Sequence, residues 1–202
     1  MSKQVYISAD YDPDNGDRLV VAELMKWSID RLHKVEFIDM ANPASGSVAR
    51  SSDCRPCELK AEFNQQINAS SAVIFVVGNM TGLRRAGSQC ARTELDYNQS
   101  MCTPFKQNAN GQKPCKVPRT FPTGADDDLG NINNFSYLQH EFLQAQRRKK
   151  EIIIVYNSTR KEENWLPSYM RGYENIAKPF WTYDLYGRKV GDYFYIKEVL
   201  GF

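Results

Sequence analysis

Ala72-Val73-Ile74-Phe75-Val76-Val77 is six consecutive apolar residues, most of them β-branched. An unbroken run of this length is what a central parallel strand needs when both of its faces are covered. Before it, Leu59, Phe63 and Ile67 fall at i, i+4 and i+8, which predicts a helix over residues 56–69 with one apolar stripe. After it, residues 78–88 are polar and glycine-rich, and a second helix is expected over 89–100.

The same alternation extends in both directions. Residues 5–9 (VYISA) form a short apolar run that ends in the acidic turn Asp10-Tyr11-Asp12-Pro13-Asp14-Asn15-Gly16, a strand and its loop. Val21, Leu24, Met25, Ser28 and Leu32 then recur at helical spacing, with Asp14 or Asp17 placed to cap, so a helix is expected over 17–32. Residues 35–39 (VEFID) alternate as a strand and open into a long loop over 40–55. Downstream, Leu138, Phe142 and Ala145 mark the inward side of a helix over 135–150, and residues 151–156 (EIIIVY) are a second buried strand. A short helical or irregular piece starts at Trp165, a strand is expected over 179–184, and a terminal helix or strand over 192–200.

Strands separated by helices predict an α/β fold: a flavodoxin-like, doubly wound, mostly parallel five-stranded sheet with helices on both faces. The 202 residues fit a single domain. Residues 101–134, with Pro104, Pro114, Pro118 and Pro122 and the run Asp126-Asp127-Asp128, read as one long loop-rich insertion. In such sheets ligands gather outside the carboxyl ends of the strands. The loops at 10–15, 40–55 and 78–88 are expected on that edge.

Composition removes several function classes. Lysine plus arginine number 26 against 24 acidic residues, a formal net charge of +2, so no global field favours nucleic acid or an anionic membrane. No apolar run approaches the roughly 20 residues of a membrane-spanning helix. The amino terminus has no apolar signal core, so a cytoplasmic location is expected. Five cysteines, an odd number, argue for reduced thiols. Cys54 and Cys57 form a C-x-x-C, but Cys102 and Cys115 are too widely spaced to complete a zinc knuckle, and no metal site is expected. No G-x-x-x-x-G-K-[ST], G-x-G-x-x-G or G-x-S-x-G occurs, which argues against a P-loop, an ordinary dinucleotide-binding dehydrogenase and a serine-hydrolase elbow. The only histidines, His33 and His140, are expected in surface or plain helical positions, and Arg147-Arg148-Lys149-Lys150 as a solvated helix end. Glu94 falls in the first turns of the helix after the central strand, where it can point back toward the sheet edge.

The order of these features resembles a Toll/interleukin receptor (TIR) domain, and more closely the ThsB-type TIR-like proteins of bacterial Thoeris defence. Val5-Tyr6-Ile7-Ser8 with its acidic turn, Phe37-Ile38-Asp39 before the long loop, residues 67–78, the Thr81 loop and Cys90 through Glu94-Leu95 carry the resemblance, together with residues 153–156 and Trp165-Leu166-Pro167. The family often shows W-C-x-x-E-L, whereas here Gln89 precedes Cys90 and three residues separate Cys90 from Glu94.

The resemblance implies cleavage of the nicotinamide–ribose bond of NAD, a substrate rather than a cofactor, with Glu94 catalytic and Ser8, Asp10, Tyr11, Asp39, Asn79 and Thr81 lining the pocket. Nicotinamide leaves as a neutral molecule, so one fixed carboxylate that stabilises the oxocarbenium-like sugar suffices. The product, a linear, cyclic or conjugated ADP-ribose, is implied to signal to a companion effector in antiphage defence, after a phage-derived trigger and with homo-oligomers as a further expected state. Two other readings stand beside it: an enzyme that resembles a nucleoside deoxyribosyltransferase, in which a glutamate attacks the sugar, and a catalytically silent TIR-like adaptor.

Overall fold

The computed structural model describes residues 3–12, 14, 16–29, 35–39, 55–85, 107–108, 111–112 and 136–202. Strand β1 (Lys3–Ser8) leads to helix α1 (Arg18–Trp27), β2 (Val35–Asp39), α2 (Arg55–Ala69) and β3 (Ala72–Val77). A short antiparallel pair follows, β4 (Gln107–Asn108) with β5 (Gly111–Gln112). Then come α3 (Tyr137–Arg147), β6 (Glu151–Tyr156), β7 (Lys178–Pro179), β8 (Trp181–Tyr183), β9 (Lys189–Gly191) and α4 (Tyr193–Leu200). Five strands form one sheet in the order β2-β1-β3-β6-β7, and every pairing in it is parallel.

β3 is the centre of this sheet, paired from Val5↔Ala72 to Ser8↔Phe75 on one side and from Ala72↔Glu151 to Val77↔Tyr156 on the other. All six of its residues are buried. Because side chains alternate across a strand, Ala72, Ile74 and Val76 join Val5, Ile7, Ile153 and Val155 under α1 and α4, which contribute Val20, Val21, Leu24, Ile196 and Leu200. Val73, Phe75 and Val77 join Tyr6, Ile154 and Tyr156 under α2 and α3, through Leu59, Phe63, Ile67, Phe142 and Ala145. Helices therefore cover both faces, which is why the strand reads as an unbroken apolar run.

Helix ends are closed by identifiable groups. The side chain of Ser136 accepts from the Gln139 amide at 3.0 Å and that of Asp192 from the Tyr195 amide at 3.3 Å, while Gly201, at φ 75°, ends α4 in the left-handed conformation glycine tolerates. Arg147 and Lys149 of the basic run are exposed as expected, whereas Lys150 reaches back from the end of α3 and donates to the carbonyls of Asn68 and Ser70 at 2.8 and 2.6 Å, closing the end of α2.

Two expectations change. The strand anticipated over 179–184 is divided at Phe180: β7 joins the main sheet, whereas β8 pairs antiparallel with β9 in a separate ribbon. Pro179 has no amide to extend the ladder, and the fully buried Phe180 bonds Tyr156 through its amide and Asp192 through its carbonyl. The terminal segment, helix or strand by sequence, is the helix α4. The helix expected over 89–100 and nearly all of the 101–134 insertion lie outside the described residues. Among the described residues, no helix is long and apolar enough to cross a membrane.

Ile74 is wholly buried in the central strand, so Ile74→Ala should cost about 2–5 kcal/mol. Leu185→Ala, at a fully exposed position, should change stability by no more than about 0.5 kcal/mol. Urea denaturation midpoints check both.

Candidate functional site

The chain leaves β1 toward β2 and leaves β3 toward β6, so strand order reverses between β1 and β3. Sheets of this kind take ligands outside the carboxyl ends at such a reversal, and two polar clusters lie at these ends.

The first lies on the α2/α3 side. Tyr6 and Ser8 alternate with the inward Ile7 of the opposite face, and both hydroxyls donate to Glu141 of α3: Tyr6 to Oε1 at 2.8 Å and Ser8 to Oε2. Glu141 is buried. Its position follows from helix periodicity, since Leu138, Glu141, Phe142 and Ala145 stand at i, i+3, i+4 and i+7 and all are buried. Burial pushes the Glu141 carboxyl up to about 7, opposed by the Ser8 and Tyr6 hydroxyls, which favour the ionised form. Tyr6 is raised in turn, first by burial and then by the charge of Glu141.

The second cluster ties the loops together. Arg84 donates to Asp10 at 2.5 Å and lies 3.4 Å from Asp12, joining the segment after β3 to the segment after β1. The Asp17 amide donates to the Asp10 carbonyl at 2.7 Å. Although Asp17 stands at the amino end of α1, its side chain does not cap the helix. It accepts instead from Asn157 Nδ2 at 2.8 Å, and Asn157 Oδ1 accepts from Trp181 Nε1 at 2.8 Å. Burial pushes Asp17 up to about 6, against the Asn157 hydrogen bond and with a contribution from the charge of Asp10. Gly78 makes this placement possible: a Cβ there would fall inside van der Waals distance of Asp17 Oδ1.

The expected site residues divide accordingly. Ser8, Asp10, Tyr11, Asp39 and Thr81 are all brought to the carboxyl edge, but in different roles. Ser8 faces Glu141 and Asp10 faces Arg84. Tyr11 and Asp39 line a cavity against α1. Thr81 is buried and accepts from the Gly78 amide at 2.8 Å, which makes it a turn-closing residue. Asn79 is exposed. Glu94 lies outside the described residues, as do His33, Cys54, Cys90, Cys102 and Cys115. His140 is buried against α2, its Nε2 2.8 Å from Asn64 Oδ1, and burial with the nearby Lys60 charge holds its pKa well below the usual histidine range. It faces the helix layer as a neutral packing group.

Glu141, Tyr6, Arg84 and Asn157 were not singled out by sequence. For Glu141 a signal existed, a carboxylate on the apolar stripe of its helix. No protein-family model matches the chain, and no curated protein or solved structure is significantly similar to it.

A carboxyl whose pKa is raised by folding binds its proton more tightly in the native state, so stability is fullest below its unfolded value and declines as pH rises to the folded one. Glu141 sets this window between 4.5 and about 7, and Asp17 adds a second between 3.8 and about 6. Unfolding free energy should therefore fall by a few kcal/mol, on the order of 3 from Glu141 alone, across its window. In Glu141→Gln the part of that decline between about pH 6 and 7 should vanish, as read by denaturation at a series of pH values.

Proposed function

We propose that the chain is a single TIR-like domain of flavodoxin-like topology that cleaves the nicotinamide–ribose bond of NAD, with Glu141 as the working carboxylate. The observation that carries this is the buried Glu141 at the strand-order reversal, aimed by the hydroxyls of Tyr6 and Ser8. Glu141 lies on the last helix before β6, whereas the resemblance places its catalytic glutamate, Glu94, on the helix directly after β3, which lies outside the described residues.

The reaction asks little of the protein beyond charge placement. The C1′–N bond breaks with its electron pair going to the pyridinium nitrogen, so neutral nicotinamide departs without a proton donor. Positive charge is left on the ribosyl carbon and ring oxygen. An ionised Glu141, fixed in a dry site, stabilises that charge and accepts from a sugar hydroxyl more strongly as the charge develops. Water then adds to C1′ and releases one proton, giving ADP-ribose; an adenine nitrogen in place of water gives a cyclic product. Such a product would suit a signal passed to a companion effector in antiphage defence.

Purified protein incubated with NAD, with and without lysate from phage-infected cells, should release nicotinamide on a chromatographic assay. Glu141→Gln should lower kcat by about 100-fold or more, while Glu94→Gln should retain most of it. Since the ionised form is the active one, kcat/KM should rise with pH through a value near 7, the position to which burial moves Glu141. Loss of activity in Glu94→Gln with Glu141→Gln unaffected would return the role to Glu94. Base exchange on deoxynucleosides without NAD cleavage would favour the transferase, and no turnover of either, with self-association retained, the adaptor.

A further inference from the structure

Among the described residues, six of the nine exposed large apolar side chains fall between residues 176 and 202. A single exposed leucine or tyrosine calls for no explanation, but such a concentration marks a surface made for contact. Two features of this segment differ in shape. One protrudes and the other is hollow.

The protruding feature is the turn of the β8–β9 ribbon. Leu185 is fully exposed there, and Tyr183 and Tyr186 beside it are largely so. Turns favour small and polar residues, and this one is built by such groups. Asp184 accepts from the amides of Tyr186 and Arg188, each at 2.9 Å, and from Arg188 Nε at 2.7 Å. Gly187, at φ 74°, supplies the left-handed residue. The Arg188 guanidinium lies 5.4 Å from the centre of the Tyr186 ring, and at the base of the ribbon Trp181 is tied to Asn157. The tip is therefore fixed before any contact, so little ordering entropy opposes its docking.

The hollow feature, of about 370 Å³, lies against α4 and is lined by Phe194, Lys197, Glu198 and Phe202. Phe194 and Phe202 are exposed and give it apolar walls. Lys3 steadies the Phe202 side, donating to the Leu200 carbonyl and lying 5.1 Å from the Phe202 ring centre. The volume is at the low end of the roughly 300–1,000 Å³ of ligand sites, which suits one or two inserted side chains better than a helix. Lys197 sits 4.5 Å from the Tyr193 ring centre, whereas Glu198 is exposed. On the ribbon, Arg188 is paired with Asp184, and Lys189 is exposed above Trp181. The tip thus offers an apolar side chain with a cation close behind it, and the cavity offers apolar walls with an anion. Because Leu185 is fully exposed, the tip does not fill the cavity of its own chain.

We propose that the ribbon tip inserts into the α4 cavity of a second copy of this chain, with Leu185 between Phe194 and Phe202 and Lys189 against Glu198. Tip and cavity are different patches, so the contact is heterologous. A pair of copies keeps one unused tip and one unused cavity, and assembly passes beyond a dimer.

Sedimentation velocity at protein concentrations up to about 100 µM tests this. Wild-type protein should exceed the mass of a dimer as concentration rises. Leu185→Asp and Phe194→Asp change exposed positions, where thermal midpoints should stay near wild type, and each should weaken association at least about tenfold. Mixed in equal amounts, the two variants should recover association and stop at a one-to-one dimer, because only one intact tip and one intact cavity meet. Lys189→Glu should weaken association, and Glu198→Lys in the same chain should restore it. A wild type that stays monomeric or stops at a dimer overturns the proposal. So does a mixture of variants that melt like wild type yet do not associate, or a charge reversal without rescue.

Discussion

Ser8 pairs with Phe75, so the ends of β1 and β3 lie side by side, while the chain departs from them toward opposite edges of the sheet. Arg84 of the segment after β3 reaches back to Asp10 of the segment after β1, and the residues that end or follow these two strands take their places from this divergence. The pairing itself depends on β3 being apolar along its whole length, since a helical layer lies over each face. With both faces covered, the polar residues of the strands are left only the ends. Ser8, Asp10, Asp39 and Asn157 follow or end their strands for that reason.

Burial and charge are set against each other at the carboxyl ends of the strands. Glu141 and Asp17 are each pushed toward the neutral form by desolvation, and each is pulled back by donors, the Tyr6 and Ser8 hydroxyls in one case and Asn157 in the other. Neither carboxylate is arranged for maximum stability, because an apolar side chain at either place would avoid the desolvation altogether. Asp17 forgoes capping α1, a role its position invites, and instead reaches Asn157 across the space that Gly78 leaves open. The result is a chain of contacts from the start of α1 through Asn157 to Trp181 of β8, which couples the carboxyl edge of the sheet to the carboxyl-terminal ribbon.

Much of the architecture is legible in local pattern. The continuous runs at β3 and β6, the alternation at β2, and the stripes of Leu59, Phe63 and Ile67 and of Leu138, Phe142 and Ala145 each fall where the corresponding element forms. Among the residues expected to line a pocket, Ser8, Asp10, Tyr11 and Asp39 could be placed at the carboxyl edge because a residue at or just after the end of a parallel strand has one edge of the sheet to occupy. Thr81 could be placed but not understood, since its bond to the Gly78 amide appears only once the turn is formed. Glu141 is not legible in the sequence because an acidic residue on a helix is ordinarily exposed, and helical spacing alone does not reveal that the stripe it shares lies beneath Tyr6 and Ser8. The split at Phe180 has the same origin: a run of aromatic and β-branched residues reads as one strand, and its division depends on the Phe180 amide donating to the Tyr156 carbonyl while the Phe180 carbonyl accepts from the Asp192 amide.

The sequence by itself determined the alternation of strands and helices, the identity of the central strand and the edge on which polar residues collect, because each depends on hydrophobic period and turn chemistry within a few neighbouring residues. Only the tertiary structure decided which carboxylate meets which hydroxyl. Tyr6 and Glu141 are 135 residues apart, and a contact across such a separation is specified by strand order and helix packing, to which no local window of the chain gives access.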